Sequence, residues 1–284
     1  MTTDKASEVL AAWEVSSQYW NKHQALIEKM FAILSHALIE DAHIGPGQTV
    51  LDVGGGSGEP SLTIAPIVGE SGSVIYTDPA AGMVNSARAE AERRGLQNIR
   101  FHQCPAEQLP FSDHSFDAAV SRLSAMFFRD VLDSLREVLR VVKPGGYMAF
   151  VVWAARDVNP FFSVVTEVLD RFVPADDEDE NAPGAFRFDR PGKLKKALQE
   201  AGAAQVIERE LAFMIEAPIN VEHFWKLRTE MSDTFRSKLK KLTADQVLII
   251  RDTVQKAVAD YFKTGAMSFP AKALVVSGKS FGVR

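Results

Sequence analysis

Cysteine is almost absent: Cys104 is the only one in 284 residues. A lone cysteine closes no intramolecular bridge, so a disulfide-stapled fold is excluded. No charged segment leading into an apolar run opens the sequence, and the expected address is a reducing cytoplasm. No run of about 18 consecutive apolar residues occurs, which excludes a helix that spans a membrane. Positive charge is also short, with 32 Lys and Arg against 37 Asp and Glu, a net −5. A chain of that sign is not built to grip a phosphate backbone, so no nucleic-acid partner is expected. The six histidines, His23, His36, His43, His102, His114 and His223, show no metal-ligand spacing. What is plentiful is apolar surface, 46% of residues. That is enough for one large domain or a domain with an elaboration, acting on a small molecule as monomer or homodimer.

From Val50 to Val152 short β-rich runs alternate with helical stretches, the pattern of a parallel sheet covered on both faces. The predicted strands are Thr49–Val53, Ser73–Thr77, Ile99–Gln103, Phe116–Ser121 and Gly146–Val152. Ala80–Arg94 and Val131–Val142 read as helices between them, the second with apolar residues at three- and four-residue steps. The first 45 residues carry no strand signal. Trp13, Tyr19, Trp20, Leu26, Ile27, Met30, Phe31, Leu34 and Leu38 recur there at near-helical spacing, predicting helices over the sheet or its mouth. A further helix is expected over Pro160–Val173, then an exposed loop over Pro174–Gly184 with the acidic run Asp176–Glu180. Beyond it come a helix at Arg190–Ala201, a strand at Ala204–Phe213, helices at Val221–Phe235 and Thr243–Lys263, and a closing strand at Ala273–Ser277. The division expected is a helical cap over 1–45, a core over 46–158 and substrate-side helices with the last strands over 159–284.

The most informative stretch is Thr49–Pro60, TVLDVGGGSGEP, an apolar strand running into four glycines and then a helix start. Glycines there let the backbone turn sharply and approach a ligand at the carboxyl end of a strand. A tight turn without a ligand is the plain alternative, and a nicotinamide or flavin dinucleotide site is the functional one. A dinucleotide fingerprint needs glycine at its first, third and sixth positions, and these hold Gly54, Gly56 and Glu59. An acid at the helix start is the wrong charge for a pyrophosphate. With Asp52 two residues before the first glycine, the expected ligand carries a positive charge. Asp78 ends the second strand 26 residues after Asp52, where a carboxylate accepts ribose hydroxyls or caps the next helix, roles that are compatible.

These residues resemble the class I S-adenosylmethionine-dependent methyltransferases. VLDVGGGSG at Val50–Gly58 looks like their first motif and Val74–Asp78 like their second-strand acid. PAEQLPF at Pro105–Phe111, SFDAAV at Ser115–Val120 and VLRVVKPGG at Val138–Gly146 follow in the family's order. LPFSDHSFD and RVVKPGG look most like the ubiquinone and menaquinone biosynthesis C-methyltransferase branch. The resemblance implies a Rossmann-like α/β fold: a mostly parallel seven-stranded sheet with helices on both faces, an N-terminal helical cap, and a C-terminal helical insertion before the last strand. It implies S-adenosylmethionine as cofactor and S-adenosylhomocysteine as product. Carried over by position, Gly54, Gly56 and Gly58 cradle the methionine part with Asp52 near its ammonium. Asp78 holds the ribose, Pro79 and Met83 flank the adenine, Ala106 and Glu107 line its far edge, and Ser121 and Arg122 lie beside the methionine. Pro105 stands where many relatives have Asp or Asn, which leaves adenine recognition to backbone groups, Gln103 or Glu107. Pro66 is expected to kink or end early the helix after the glycine loop.

Methyl transfer from a sulfonium is an in-line displacement that rests on positioning, with a base only where the acceptor must lose a proton. No catalytic residue is identified; His23, beside Tyr19 and Trp20, is the histidine named as a candidate base, with surface or core placement the alternative for all six. The expected substrate residues are Tyr19, Trp20, Met126, Phe127, Trp153, Asn159, Phe162 and Trp225, whose aromatic share suits a flat acceptor such as a quinol or phenol. The alternative is that these are core between cap and sheet. An oxidoreductase using NAD on the same sheet, and a cofactor-binding subunit without turnover, are the competing functions.

Overall fold

The computed structural model describes residues 3–174 and 179–281. The chain opens with α1 (Thr3–Lys22) and α2 (Gln24–Asp41). In α2 the side chains of Ile27, Met30, Phe31, Leu34, Ala37 and Leu38 return every three or four residues and all are buried, so one apolar stripe faces the sheet. Alternating units follow: β1 (Thr49–Val53), α3 (Ser61–Val68), β2 (Ser73–Asp78), α4 (Ala81–Arg93), β3 (Ile99–Gln103), β4 (Phe116–Arg122), α5 (Val131–Val141) and β5 (Val142–Trp153). The second half holds α6 (Pro160–Asp170), α7 (Lys193–Glu200), β6 (Ala204–Ala217), α8 (Val221–Met231), α9 (Asp233–Leu239), α10 (Ala244–Ala257) and β7 (Met267–Lys279).

The seven strands form one sheet in the order β3-β2-β1-β4-β5-β7-β6, parallel except for β7, which runs antiparallel to both β5 and β6. Each crossover returns the chain in the same direction, so the carboxyl ends of β1, β2, β4 and β5 share one edge, where ligands of open α/β sheets bind. The order reverses between β1 and β4, and that switch point lies over the glycine loop. The helical insertion α8–α10 stands between β6 and β7, as the sequence predicts.

The differences from the sequence reading are local. β5 starts four residues early because the KPGG turn joins it through an irregular register against β4. β6 and β7 extend further toward each other, to Ala217 and from Met267, because they pair as a long antiparallel ribbon. The single helix expected over Val221–Phe235 is two: Ser232 leaves helical geometry and its hydroxyl accepts from Phe235 N–H, starting α9 afresh. Thr243 caps α10 with Gln246 in a reciprocal pair, Thr243 Oγ1 accepting from Gln246 N–H at 3.3 Å and Gln246 Oε1 from Thr243 N–H at 2.9 Å. α3 runs only eight residues with Pro66 inside, stopping at Gly69. Of the acidic run, Asp176, Asp177 and Glu178 lie outside the described residues, and Asp179 and Glu180 are exposed.

Candidate active site

The glycine loop is shaped by its neighbours. Gly54, Gly56 and Gly58 take φ of 70°, 55° and 119°, a region that side chains disfavour. The amides of Gly54 and Gly55 both donate to the Thr77 carbonyl, at 2.8 and 3.0 Å, tying the loop to β2. A Cβ at Gly54 would lie 1.9 Å from Ser124 Oγ, and one at Gly55 2.5 Å from the Tyr76 ring and 2.7 Å from Asp52 Oδ2. No larger residue fits there without displacing β2 or the turn after β4. A Cβ at Gly56 meets nothing, so Gly56 leaves open space on the ligand side.

Beyond this loop lies a cavity of about 540 Å³ lined by Gly54, Gly55, Gly56, Glu59, Asp78, Pro79, Met83, Ala106, Glu107 and Arg122, with Trp13, Trp20, Phe31 and Phe127 closing its far wall. Asp78 is the organising acid. Its Oδ2 accepts from Gly56 N–H at 3.1 Å and its Oδ1 from Ala80 N–H at 2.9 Å, the turn into α4. Burial pushes its carboxyl up to about 6. Glu59 accepts from the Thr63 hydroxyl through Oε2 at 2.6 Å, while its buried Oε1 has no hydrogen bond and the Arg94 guanidinium stands off at 3.8 Å. Burial raises Glu59 as well. Arg122 reaches across from β4, Nη1 donating to Ser35 Oγ at 3.0 Å, and burial lowers its guanidinium against the raising influence of Glu59 and Asp52. A carboxylate on the cavity wall, as Glu59 is, makes a place for a cationic group, and Asp78, with one donor at each oxygen, retains acceptor capacity for hydroxyls.

α1 covers this cavity. Glu14 accepts from the amides of Ala81 and Gly82, at 2.6 and 3.0 Å, and so caps α4 beside Asp78. Gly82 admits the approach, since a Cβ there would sit 2.2 Å from Ser17 Oγ. A second cavity of about 570 Å³ begins where the first ends, sharing Trp13, Trp20, Phe31, Leu123 and Phe127 and continuing past Trp153, Phe161, Phe162 and Phe186 to Arg228 and Phe235.

Of the expected cofactor residues, Gly54, Gly56, Asp78, Pro79, Met83, Ala106, Glu107 and Arg122 line the first cavity together. Three stand elsewhere. Asp52 is fully buried beneath the loop, its Oδ2 accepting from Ser61 Oγ at 2.6 Å and Ser61 N–H at 3.2 Å, so it anchors α3 and faces no cavity; burial pushes its carboxyl up to about 7. Gly58 packs under Leu62 and α4, and Ser121 is buried in β4 with its hydroxyl unbonded. Glu107 is engaged from its exposed side, accepting from the amides of Arg129 and Asp130.

Of the substrate residues, Trp20 and Phe127 form the wall between the cavities, and Trp153 and Phe162 line the second. Tyr19, Met126, Asn159 and Trp225 line neither. Tyr19 lies under the Arg236 guanidinium, Met126 is core, and Trp225 packs edge-on to Phe235. Asn159 is a staple: its amide donates to the carbonyls of Ala154, Ala155 and Lys272 and its Oδ1 accepts from Lys272 N–H. His23 also lines neither cavity; it closes the α1–α2 turn against Glu230 of α8, Nε2 to Oε2 2.5 Å. The structure therefore gives His23 a joining role between cap and insertion. Sequence reasoning placed Trp13 and Phe31 on helices over the sheet or its mouth but not in the site, and missed Val9 and Leu10, although Leu10, Trp13 and Trp20 fall on one helical face. It discounted Glu59 and did not single out Arg228. Among the described residues no group of three or more His, Cys, Asp or Glu is placed to hold a metal, and no helix is long and apolar enough to cross a membrane.

Residues 51–150 match the family described as a methyltransferase domain. An uncharacterized protein of Mycobacterium tuberculosis is 30% identical over 174 residues, 61% of each chain. The ubiquinone/menaquinone biosynthesis C-methyltransferase UbiE of Coxiella burnetii is 33% identical over 137 residues, 48% of this chain and 55% of that one. The chain thus spans roughly six tenths or less of the curated relatives it matches. The crystal structure of YcgJ from Bacillus subtilis shares the fold, with TM-score 0.55 at 23% identity over 87% of this chain and 99% of that one. Residues 51–150 are thus similar to a methyltransferase domain, the sheet order is the fold of the solved structure, and in sequence the chain resembles the ubiquinone/menaquinone biosynthesis C-methyltransferases.

Proposed function

We propose that this chain is a methyltransferase (EC 2.1.1.-) that binds S-adenosylmethionine in the first cavity and methylates a small, flat aromatic acceptor held in the second. The observation that carries the reading is the shared wall: a polar cradle with unbonded acceptor capacity meets an aromatic chamber across Trp13, Trp20, Phe31 and Phe127. Gly54–Gly56 and Glu59 would hold the methionine part with Arg122 beside it, Asp78 the ribose, and Pro79, Met83 and Ala106 the adenine. When bound, the cofactor supplies an electrophilic methyl whose bond to sulfur breaks as the bond to the acceptor forms.

The chain's own contribution is positional. Aromatic rings on both sides of the junction fix the plane of a flat acceptor and keep water out, and fixing two reactants in line is worth several kcal/mol of barrier. No base is built into the wall between the cavities, so acceptors that react in an already deprotonated or electron-rich form are favoured. Residues 46–158 would form the cofactor half, and 1–45 with 159–284 the substrate half. Cys104, its thiol pushed up to about 11 by burial, is unreactive at neutral pH and fits a cytoplasmic setting.

The test is release of S-adenosylhomocysteine from S-adenosylmethionine on incubation with a panel of quinols, phenols and amines. Turnover with aromatic members supports the reading. Cofactor binding without turnover on any of them would favour a binding subunit.

A further inference from the structure

The second cavity holds one group that the methyltransferase reading does not use. Arg228 of α8 lines it at 7% exposure, and its buried Nε has no hydrogen-bond partner. Its guanidinium lies over the faces of Phe161 and Phe162, 4.7 and 4.9 Å from the ring centroids. Among the described residues no carboxylate is within ion-pair reach of it. The acids on the cavity wall are Asp170, Asp179, Glu180 and Asp189; Asp170 is bound to Lys238 at 2.6 Å and Glu180 to Arg190 at 3.0 Å. Burial alone acts on the guanidinium, pushing it down to about 10 with no acid offsetting it. A buried charge with no partner is costly, and the ring faces compensate only part of that cost.

An unpaired, buried guanidinium at the end of an aromatic chamber is a fork for a planar anion, since Arg donates two parallel N–H groups to a carboxylate. Arg156 and Arg187 line the same cavity, Arg156 over the Phe186 ring and Arg187 donating to the Phe128 carbonyl with Asp130 and Asp179 near enough to act on its charge. Resting on the methyltransferase reading, we propose that the acceptor is an aromatic carboxylate whose anionic group pairs with Arg228 while its ring lies between Phe162 and the Trp20–Phe127 wall. The acceptor is then oriented with its charged end away from the cofactor and its opposite edge toward the first cavity.

Calorimetric titration of the full chain with matched pairs, 3-hydroxy-2-naphthoate against 2-naphthol and 4-hydroxybenzoate against phenol, tests this. S-adenosylhomocysteine is titrated in parallel. The wild-type chain is expected to bind the carboxylate member of a pair about tenfold or more tightly than the neutral one. In Arg228→Met that preference collapses to within about twofold while S-adenosylhomocysteine binding is unchanged, and Arg228→Lys keeps part of it. Arg228→Met is also expected to melt higher than wild type without ligand, because an uncompensated cation is removed; a merely structural guanidinium would lower the melting point. Equal or tighter binding of the neutral members, a preference that survives in Arg228→Met, or no binding by any pair would overturn the proposal. Loss of S-adenosylhomocysteine binding in the wild-type chain would instead overturn the methyltransferase reading on which it rests.

Discussion

The two cavities are close in size, about 540 and 570 Å³, and share five residues, yet they are built differently. The first is floored by backbone amides and two raised carboxylates, Asp78 and Glu59. The second is walled by aromatic rings and ends at a buried cation, Arg228. The first is built on strand ends and a glycine loop, where backbone geometry sets the shape; the second on helix faces, where side chains do. On the proposed reading one cavity takes the cofactor through backbone and carboxylates and the other takes the acceptor through rings and a guanidinium, so each is expected to fail differently when broken.

The largest expected effect lies at the shared end of β5. Trp153 is buried against Phe31, Phe162 and Phe213, with ring centroids 5.6, 4.8 and 6.3 Å away. Trp153→Ala should cost about 3–5 kcal/mol of stability in denaturant unfolding, because the lost packing lies inside the core. A loss under about 1 kcal/mol would mean that the wall of the second cavity is soft.

Next, Asp78→Ala should weaken S-adenosylhomocysteine binding by about a hundredfold, from loss of a charged acceptor worth about 3 kcal/mol. In the wild-type chain the affinity should rise as pH rises from about 5 to about 7, since Asp78 ionises near 6 and only the carboxylate accepts at both oxygens. A flat pH profile would remove Asp78 from the ribose role. Binding of a flat aromatic probe in the second cavity should not follow this profile, which separates the two sites.

A smaller effect is expected from Asp52, raised to about 7 in the fold against 3.8 as its ordinary value. The folded state therefore holds its proton longer than the unfolded chain. Asp52 contributes stability that is present at low pH and lost as pH rises from about 4 through 7. Asp52→Asn, which keeps an oxygen for the Ser61 donors, should flatten that slope and stabilise the chain at pH 8 by about 1–3 kcal/mol. Unchanged stability at both pH 5 and pH 8 would show that Asp52 is already neutral or compensated.

The smallest effect is reserved for His23. His23→Ala should change kcat less than threefold with any acceptor found, while losing the link between cap and insertion at Glu230. A loss above a hundredfold would restore it as a base.

The parallel half of the sheet was legible because β1 and its neighbours are buried and bounded by Gly and Asp, so composition and period agree with the fold. The first cavity was legible from the glycine loop and Asp78, where chemistry is carried by backbone and spacing. Asp52 was placed near the ligand by its spacing from Gly54, but β1 is buried on both faces and Ser61 at the start of α3 receives the carboxylate. Glu59 was read only as the wrong charge for a pyrophosphate, although that same charge puts an acceptor beside the cavity. The second cavity was half legible. Trp20, Phe127, Trp153 and Phe162 were named, but Asn159 and Trp225 serve packing, and Arg228 looks like any other arginine on a helix until α8 is docked. Long-range packing of helices on helices decides such residues, and no local pattern encodes it.

The central claim is that the glycine-loop cavity accepts a nucleoside sulfonium cofactor and its thioether product. Thermal shift of the intact chain with S-adenosylmethionine, S-adenosylhomocysteine and NAD tests it most directly. The melting temperature is expected to rise with the first two, not with NAD, and not with either in Asp78→Ala. A rise with NAD alone would contradict the account.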